Sequence, residues 1–389
     1  MRGHKRRLEY SYVVWGDHMI RFLTAGESHG EYLVGIIEGF PSNLYLNVDY
    51  VNNQLKRRQM GYGRSSRMSI ERDQVIVLSG VSDNLTTGNP ISLLIKNRGR
   101  DIDVDKIIKP RPGHGDLAGM LKYNHQDAKH VMERASARET AMRVAIGSIC
   151  RLLLKEFNIS IYSHVVQIGK VKASDRSYEE EALLQADQSP LRVLDKEAEK
   201  LMIEEIERAK DEGDTLGGIF EVIAKNLPVG LGSYASWDRR LDSSISAGIM
   251  SIPGIKGIEF GLGFDLAKLK GSQVHDEIYY DQNRYFRKTN NAGGTEAGVS
   301  NGEDIVFRAV MKPIPTLRKP LRTVNVRTKE EVLAQFVRSD VCAVPSASVV
   351  AENILAYVLA KEIVMKFGGD SMEELKANYN SYVNSLQYR

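Results

Sequence analysis

Runs that alternate apolar and polar residues recur along this chain. The helical patterns between them do not follow a regular strand–helix–strand rhythm. Strand patterns cover 20–25, 34–38, 75–79, 91–95, 160–168, 218–225, 257–260 and 304–311, and helical periodicity covers 47–58, 137–157, 195–212, 241–251 and 348–367. Several of the strand runs have one apolar and one polar face, as antiparallel strands with a wet side do. A doubly wound parallel sheet would instead need strands and helices in steady alternation, so the pattern predicts α+β layers. The stretch opened by Ala137 carries Val144, Ala145, Ile149, Leu152 and Leu153 and reads as a central, buried helix. The stretch 195–212 is laced with charges at i, i+4 spacing and reads as a solvated surface helix.

With 389 residues the chain is long enough to bury a large core. It shows no Pro/Ser/Gly linker, no low-complexity block and no 20–50-residue repeat, which favours one large domain over 19–389. A net charge of +3 creates no global field that demands nucleic acid as a partner, so any anion site must come from local clustering of base. Two cysteines, Cys150 and Cys342, cannot build a disulfide framework, and no CxxC or paired-histidine spacing suggests a metal; a reducing cytoplasm is the natural setting. No apolar run approaches the ~18–20 residues of a membrane helix. Residues 1–18 begin with a basic cluster but are too polar for a signal core, and read as an extension before Met19, which is itself a candidate start.

Several segments place reactive groups among small residues. In 24–40, His29 sits on a tight Gly26-Glu-Ser-His-Gly30 turn that leads into a strand, where an imidazole can serve as acid or base. In Pro110-Arg-Pro-Gly-His-Gly-Asp116, His114 is framed by proline and glycine, with Arg111 three residues before it; an exposed turn is the plainer alternative. His125 and His130 lie in a polar stretch and read as ordinary. Between 56 and 72 six cationic residues accompany one acidic residue, and Gly61-Tyr-Gly63 makes a turn that would expose Arg64 and Arg67 beside Arg58. Guanidinium groups grip phosphate and carboxylate bidentately, so this loop suits a small polyanion, against the plainer reading of a solvated helix end. Ser136, in Arg134-Ala-Ser-Ala-Arg138, is placed to cap the long helix and to leave amides for an anion beside Arg138. Lys312-Pro-Ile-Pro-Thr316 is a proline-stiffened loop fit to border a planar cofactor or simply to turn at the surface. The glycine-rich 290–298 turn lets backbone approach a ligand but is neither a dinucleotide fingerprint nor a P-loop. Asp340, in Arg338-Ser-Asp-Val-Cys342, is either an ionised structural partner of an arginine or a base in a desolvated site.

Taken together, Gly26–Gly30, Arg134-Ala-Ser-Ala-Arg-Glu-Thr-Ala141 and Arg338–Cys342 with Glu352 resemble the three signature motifs of the chorismate synthase family. The segments 58–64, 111–114, Gly213-Asp-Thr-Leu-Gly-Gly218, 271–273 and 312–316 match in family order, and the likeness runs from Met19 to about Phe367. The resemblance implies conversion of 5-enolpyruvylshikimate 3-phosphate to chorismate and phosphate, an anti-1,4-elimination that closes the shikimate pathway and needs reduced FMN without net redox change. It implies His29 as the acid for the departing phosphate, His114 beside flavin N1 and C2=O, and Asp340 assisting at N5. It assigns the substrate's phosphate and carboxylates to Arg58, Arg64, Arg67, Arg111, Ser136, Arg138 and Arg338. Flavin contacts fall on Arg134, Ala135, Ser136, Pro253, Gly254, Ala297, Lys312, Pro313, Ile314, Pro315, Thr316 and Arg338; no metal is implied. The implied fold is a β-α-β sandwich of two antiparallel sheets around helices, in a homotetramer. Two departures stand out: Ser251-Ile-Pro253-Gly254 where relatives usually read Ser-Ile-Asn-Ala, and Ala297 for a usual glycine.

Two other classes compete. A flavin oxidoreductase with a hydride acceptor would not need this density of arginine. An RNA-binding protein using 56–72 would leave His29, His114 and Asp340 without a purpose, and only Tyr62 offers a stacking ring. No added nicotinamide motif is present, so the flavin is expected to be reduced by an outside donor.

Overall fold

The computed structural model describes residues 19–64, 72–98, 106–174, 178–282, 284–336 and 340–386. Of the expected site residues, Arg67 and Arg338 lie outside the described residues, as does the proposed extension 1–18.

The strand runs read from alternation form two antiparallel sheets. The first has four strands in the order Arg21–Ala25, Tyr32–Glu38, Ile91–Lys96, Val75–Ser79, with Leu23 opposite Ile36 and Val34 opposite Leu94. The second has five, in the order Ile255–Phe260, Ile305–Met311, Gly218–Lys225, Ser160–Ile168, Val171–Lys172. The helix Thr140–Lys155 packs on the first sheet and the helix Val344–Phe367 on the second, and the two helices pack on each other. Val48–Gln59 lies against both helices. One apolar core runs through these elements, from Leu33, Ile37 and Leu93 of the first sheet to Phe220 and Phe307 of the second.

Local chemistry accounts for the element ends. Asn47 accepts from the Tyr50 amide and so caps Val48–Gln59. Asp195 accepts from the amides of Glu197 and Ala198 and starts the surface helix Lys196–Asp211. Ser136 accepts from the Arg138 amide at the head of a 3-10 turn, Ala137–Glu139, that runs on into Thr140–Lys155. The expected cap is therefore present, but it opens a tight turn before the α-helix proper. Val344–Phe367 starts four residues earlier than its periodicity suggests, with Pro345 in its first turn.

Two contacts decide how the layers meet. A Cβ built on Gly147 would lie 2.2 Å from the Asn353 carbonyl oxygen, so the two long helices cross at a distance only glycine permits. The last helix, Met372–Leu386, escapes the periodicity reading because few of its residues are buried. Its Tyr379 and Tyr382 close the core end by packing on Phe157 and Phe367.

Candidate active site

Loops at the ends of these elements bring the sequence-distant segments together. His29 stands on the turn between the first two strands, as its flanking glycines predict. Its amide donates to Glu133 Oε2 at 2.7 Å and its Nδ1 lies 2.9 Å from Glu133 Oε1. Burial works to neutralise Glu133, but hydrogen bonds from the His29 ring and amide, with the nearby charges, hold its carboxyl below the usual glutamate range. The Ser28 hydroxyl meets that of Ser136 at 3.1 Å. Arg134 donates to the carbonyls of Thr24 and Gly26, so its guanidinium ties the segment 134–138 to the strand before the His29 turn.

Asn97 donates to the carbonyls of Glu27 and Gly30 and accepts from Arg138 Nε at 2.8 Å. Arg138 also reaches Asp73 at 2.7 Å, and Arg58 lies 3.6 Å from the same carboxylate. Arg58 donates to the Thr140 hydroxyl and the Ala137 carbonyl as well. The expectation that Gly61–Gly63 would expose Arg64 fails, and Arg58 beside it is buried as well. Arg58 is 4% exposed and the Arg64 side chain 11%. Arg58 sits on the inward face of its helix, where buried Asp73 balances it. Arg64 is drawn in by Asp340, 3.1 Å from its Nε. Asp340 is thus ion-paired with an arginine, Arg64. The loop after Arg58 docks on the third motif: the Val341 amide donates to the Gly63 carbonyl and the Ser346 hydroxyl to the Arg58 carbonyl.

His114 is held in the same manner as His29. Its Nδ1 lies 2.5 Å from Asp116 Oδ1, and Arg111 clamps the other side of that carboxylate through Nε at 2.8 Å. Asp116 is fully buried, which alone would raise its pKa; hydrogen bonds from His114 and Arg111 and their charge hold it far below the ordinary range. Arg111 also donates to the Thr316 hydroxyl, and Lys312 Nζ donates to the Gly113 carbonyl, so the 110–116 and 312–316 loops form one unit. The Thr215 hydroxyl holds the Ile314 carbonyl at 2.7 Å, and the Leu216 amide donates to the Val341 carbonyl. The 213–218 segment thereby links the Lys312 loop to Asp340.

Two further segments flank this unit. The Lys312 amide donates to the Gly254 carbonyl, placing Pro253 and Gly254 beside the 312–316 loop. Arg143 bridges Glu139 and Ser251 and so joins that turn to the His29 side. Ala297 and Gly298 form the two-residue turn of the hairpin Thr295–Glu296/Val299–Ser300, with φ of 50° and 80°. A type I′ turn needs positive φ at both positions, so Ala297 occupies a place that favours glycine. Ala135 is exposed next to half-buried Ser136.

Sequence reading missed Glu133, Asp116, Asn97 and Asp73. Each is a single acidic or amide residue whose partner is remote in sequence or hidden by a turn. Only Asp116, two residues from His114, had a local signal. Among the described residues no group of three His, Cys, Asp or Glu could hold a metal ion, and no helix is long and apolar enough to cross a membrane.

The arrangement can neutralise and orient a small polyanion, and can offer two carboxylate-backed imidazoles for proton transfer. Comparison with known proteins points the same way. The family model described as chorismate synthase matches residues 20–364. The chain is 53% identical over 379 residues to the chorismate synthase of Alkaliphilus metalliredigens, covering 94% of this chain and 100% of that protein. It is 52% identical over 369 residues to that of Caldanaerobacter subterraneus subsp. tengcongensis, covering 94% and 98%. A crystal structure of a chorismate synthase superposes with a TM-score of 0.80 at 44% identity, covering 95% of this chain and 99% of that one.

Proposed function

The chain belongs to the chorismate synthase family, and we propose that it eliminates phosphate from 5-enolpyruvylshikimate 3-phosphate to give chorismate, with reduced FMN as cofactor. It is a carbon–oxygen lyase of aromatic amino-acid biosynthesis by the shikimate route. The observation that carries the reaction is the pairing of both motif histidines, His29 and His114, with carboxylates on Nδ1, in loops laced to the arginine-rich segments. In the elimination a C–O bond to phosphate breaks and a hydrogen leaves the ring 1,4 to it, with no net oxidation. His29 gives its proton to the departing phosphate oxygen. Arg58, Arg64, Arg111, Arg138 and, outside the described residues, Arg67 and Arg338 bind the phosphate and carboxylates, with Ser136 as a further donor. The carboxylates now paired with the described arginines hold each guanidinium in a fixed orientation, which lowers the ordering cost of binding. Asp340 would assist at flavin N5 as the proton acceptor for the hydrogen lost from the ring.

The residues present fit a phosphorylated flavin. Lys312 and Lys256 lie near enough that Lys256, after burial, depresses the Lys312 pKa, and among the described residues no carboxylate pairs with either. Such a cation pair is suited to an anion. The flavin would be held by Arg134, Ala135, Ser136, Pro253, Gly254, Ala297, the Lys312–Thr316 loop and Arg338. Reduced FMN, when bound, lends electron density to the substrate and recovers it. His114, backed by Asp116, would stand at the flavin's pyrimidine edge and stabilise its reduced form.

The same reading makes 19–389 one domain in the family's β-α-β sandwich, assembled as a cytoplasmic homotetramer with flavin reduced by an external donor. The test is anaerobic phosphate release with dithionite-reduced FMN. Chorismate and phosphate should appear together and only with reduced flavin. His29→Ala and Asp340→Ala should each lose about 10²-fold or more in turnover, and normal turnover in both would overturn these roles.

A further inference from the structure

Glu133 makes three bonds to two consecutive residues. Its carbonyl accepts from the Ser28 amide at 3.0 Å, Oε2 from the His29 amide at 2.7 Å, and Oε1 faces His29 Nδ1 at 2.9 Å. The carboxylate is 8% exposed and the His29 side chain 15%. An ionised acceptor at Nδ1 requires a proton there, which makes Nε2 the atom that gives or takes one.

The fold does not need this ring contact. The His29 turn is fastened by Asn97 on the carbonyls of Glu27 and Gly30, by Arg134 on that of Gly26, and by the Ser28 amide on the Glu133 main chain. Four backbone attachments already set the turn. What the carboxylate adds is control of the imidazole itself: its plane and its tautomer. His114 receives the same treatment from Asp116, so carboxylate backing of an imidazole occurs twice in loops that the fold brings together.

We propose that Glu133 is a positioning residue for His29, fixing the Nδ1–H tautomer and presenting Nε2 as the proton-transfer atom when phosphate is expelled. The inference rests on the proposed elimination, but its first readout does not.

The experiment compares the parent with Glu133→Gln and Glu133→Asp. Nitrogen-15 spectra of histidine-labelled resting protein, assigned with His29→Ala, report the His29 tautomer without substrate or flavin. The parent should show neutral imidazole protonated at Nδ1, and Glu133→Asp should keep that signature because the charge remains. Glu133→Gln should show a mixture of tautomers. With reduced FMN, kcat of Glu133→Gln should fall about 10²-fold or more while KM stays close to the parent. Glu133→Asp should recover part of kcat. A Glu133→Gln protein with the parental tautomer would overturn the proposal, whatever its kcat. If Glu133→Gln does not fold, a tautomer mixture in Glu133→Asp would overturn it equally. A parent that expels no phosphate would refute the proposed reaction, while the spectra still decide the role of Glu133.

Discussion

Glu352 offers the sharpest test of how the helical layer is held. It is fully buried in the helix Val344–Phe367 and accepts from Arg57 at 2.7 and 3.1 Å, Arg151 at 2.7 Å, Arg192 at 2.8 Å and the Ser163 hydroxyl at 2.6 Å. Burial works against its charge, but the three guanidiniums outweigh it and hold its carboxyl far below the ordinary glutamate range. Glu352→Gln keeps the shape and removes the charge that three buried cations share. Asp187, bridging Arg57 and Arg192 at the rim with its side chain 43% exposed, is then the nearest counter-charge. Breaking a buried ion pair from one side costs about 3–5 kcal/mol. For a chain of 389 residues the unfolding entropy is about 0.8 kcal/mol/K, so Tm should fall by about 4–6 °C. Asp187→Asn, on the wet side of the same cluster, should cost about 1 kcal/mol or less. Scanning calorimetry at pH 7 measures both. A folded-state pKa depressed below the unfolded one gives stability that is complete above about pH 5 and lost as pH falls. The gap between parent and Glu352→Gln should therefore narrow on acidification. A Tm shift under about 1 °C, or a gap that widens toward low pH, would refute the reasoning.

Other consequences follow from single contacts. Ala297 holds φ of 50° in a two-residue hairpin turn, so Ala297→Gly should raise stability by about 0.5–1 kcal/mol, read as a small rise in Tm. Gly147→Ala would place a methyl 2.2 Å from the Asn353 carbonyl oxygen; forcing the two long helices apart should cost about 1–3 kcal/mol, measured by denaturant unfolding. Asp116 is likewise held below its ordinary pKa. Asp116→Asn should therefore destabilise most near neutrality and progressively less as pH falls below about 4, seen in acid-unfolding curves. Lys256→Ala should relieve the repulsion on Lys312 and raise the Lys312 pKa, and it should weaken FMN binding if both cations face the flavin phosphate; a fluorescence titration of FMN reports the second effect.

Much of this protein is written locally. The eight strand runs read from alternation all appear, in two antiparallel sheets, because period-two burial is a property of neighbouring residues. The buried character of Thr140–Lys155 and the solvated face of Lys196–Asp211 follow from periodicity in the same way. The motifs around His29, His114 and Arg134–Arg138 were visible because small and rigid residues frame them. The tail helix was not, since its sparse apolar positions acquire meaning only against Phe157 and Phe367.

The state of each reactive group was decided elsewhere. Arg58 looks exposed in a basic run, yet Asp73 and the head of the next helix bury it. Asp340 meets Arg64, which is remote in sequence, across the fold. Glu133 stands beside Arg134 in sequence but meets His29 across the fold. Sequence by itself determined which segments become strands, helices and stiff turns, because those choices depend on backbone preference and nearest neighbours. Charge, tautomer and orientation depend on what stands within about 3–4 Å in a desolvated interior, where electrostatic interactions are strongest. Those neighbours come from remote parts of the chain, and only the packing of two sheets on the shared helices brings them into reach.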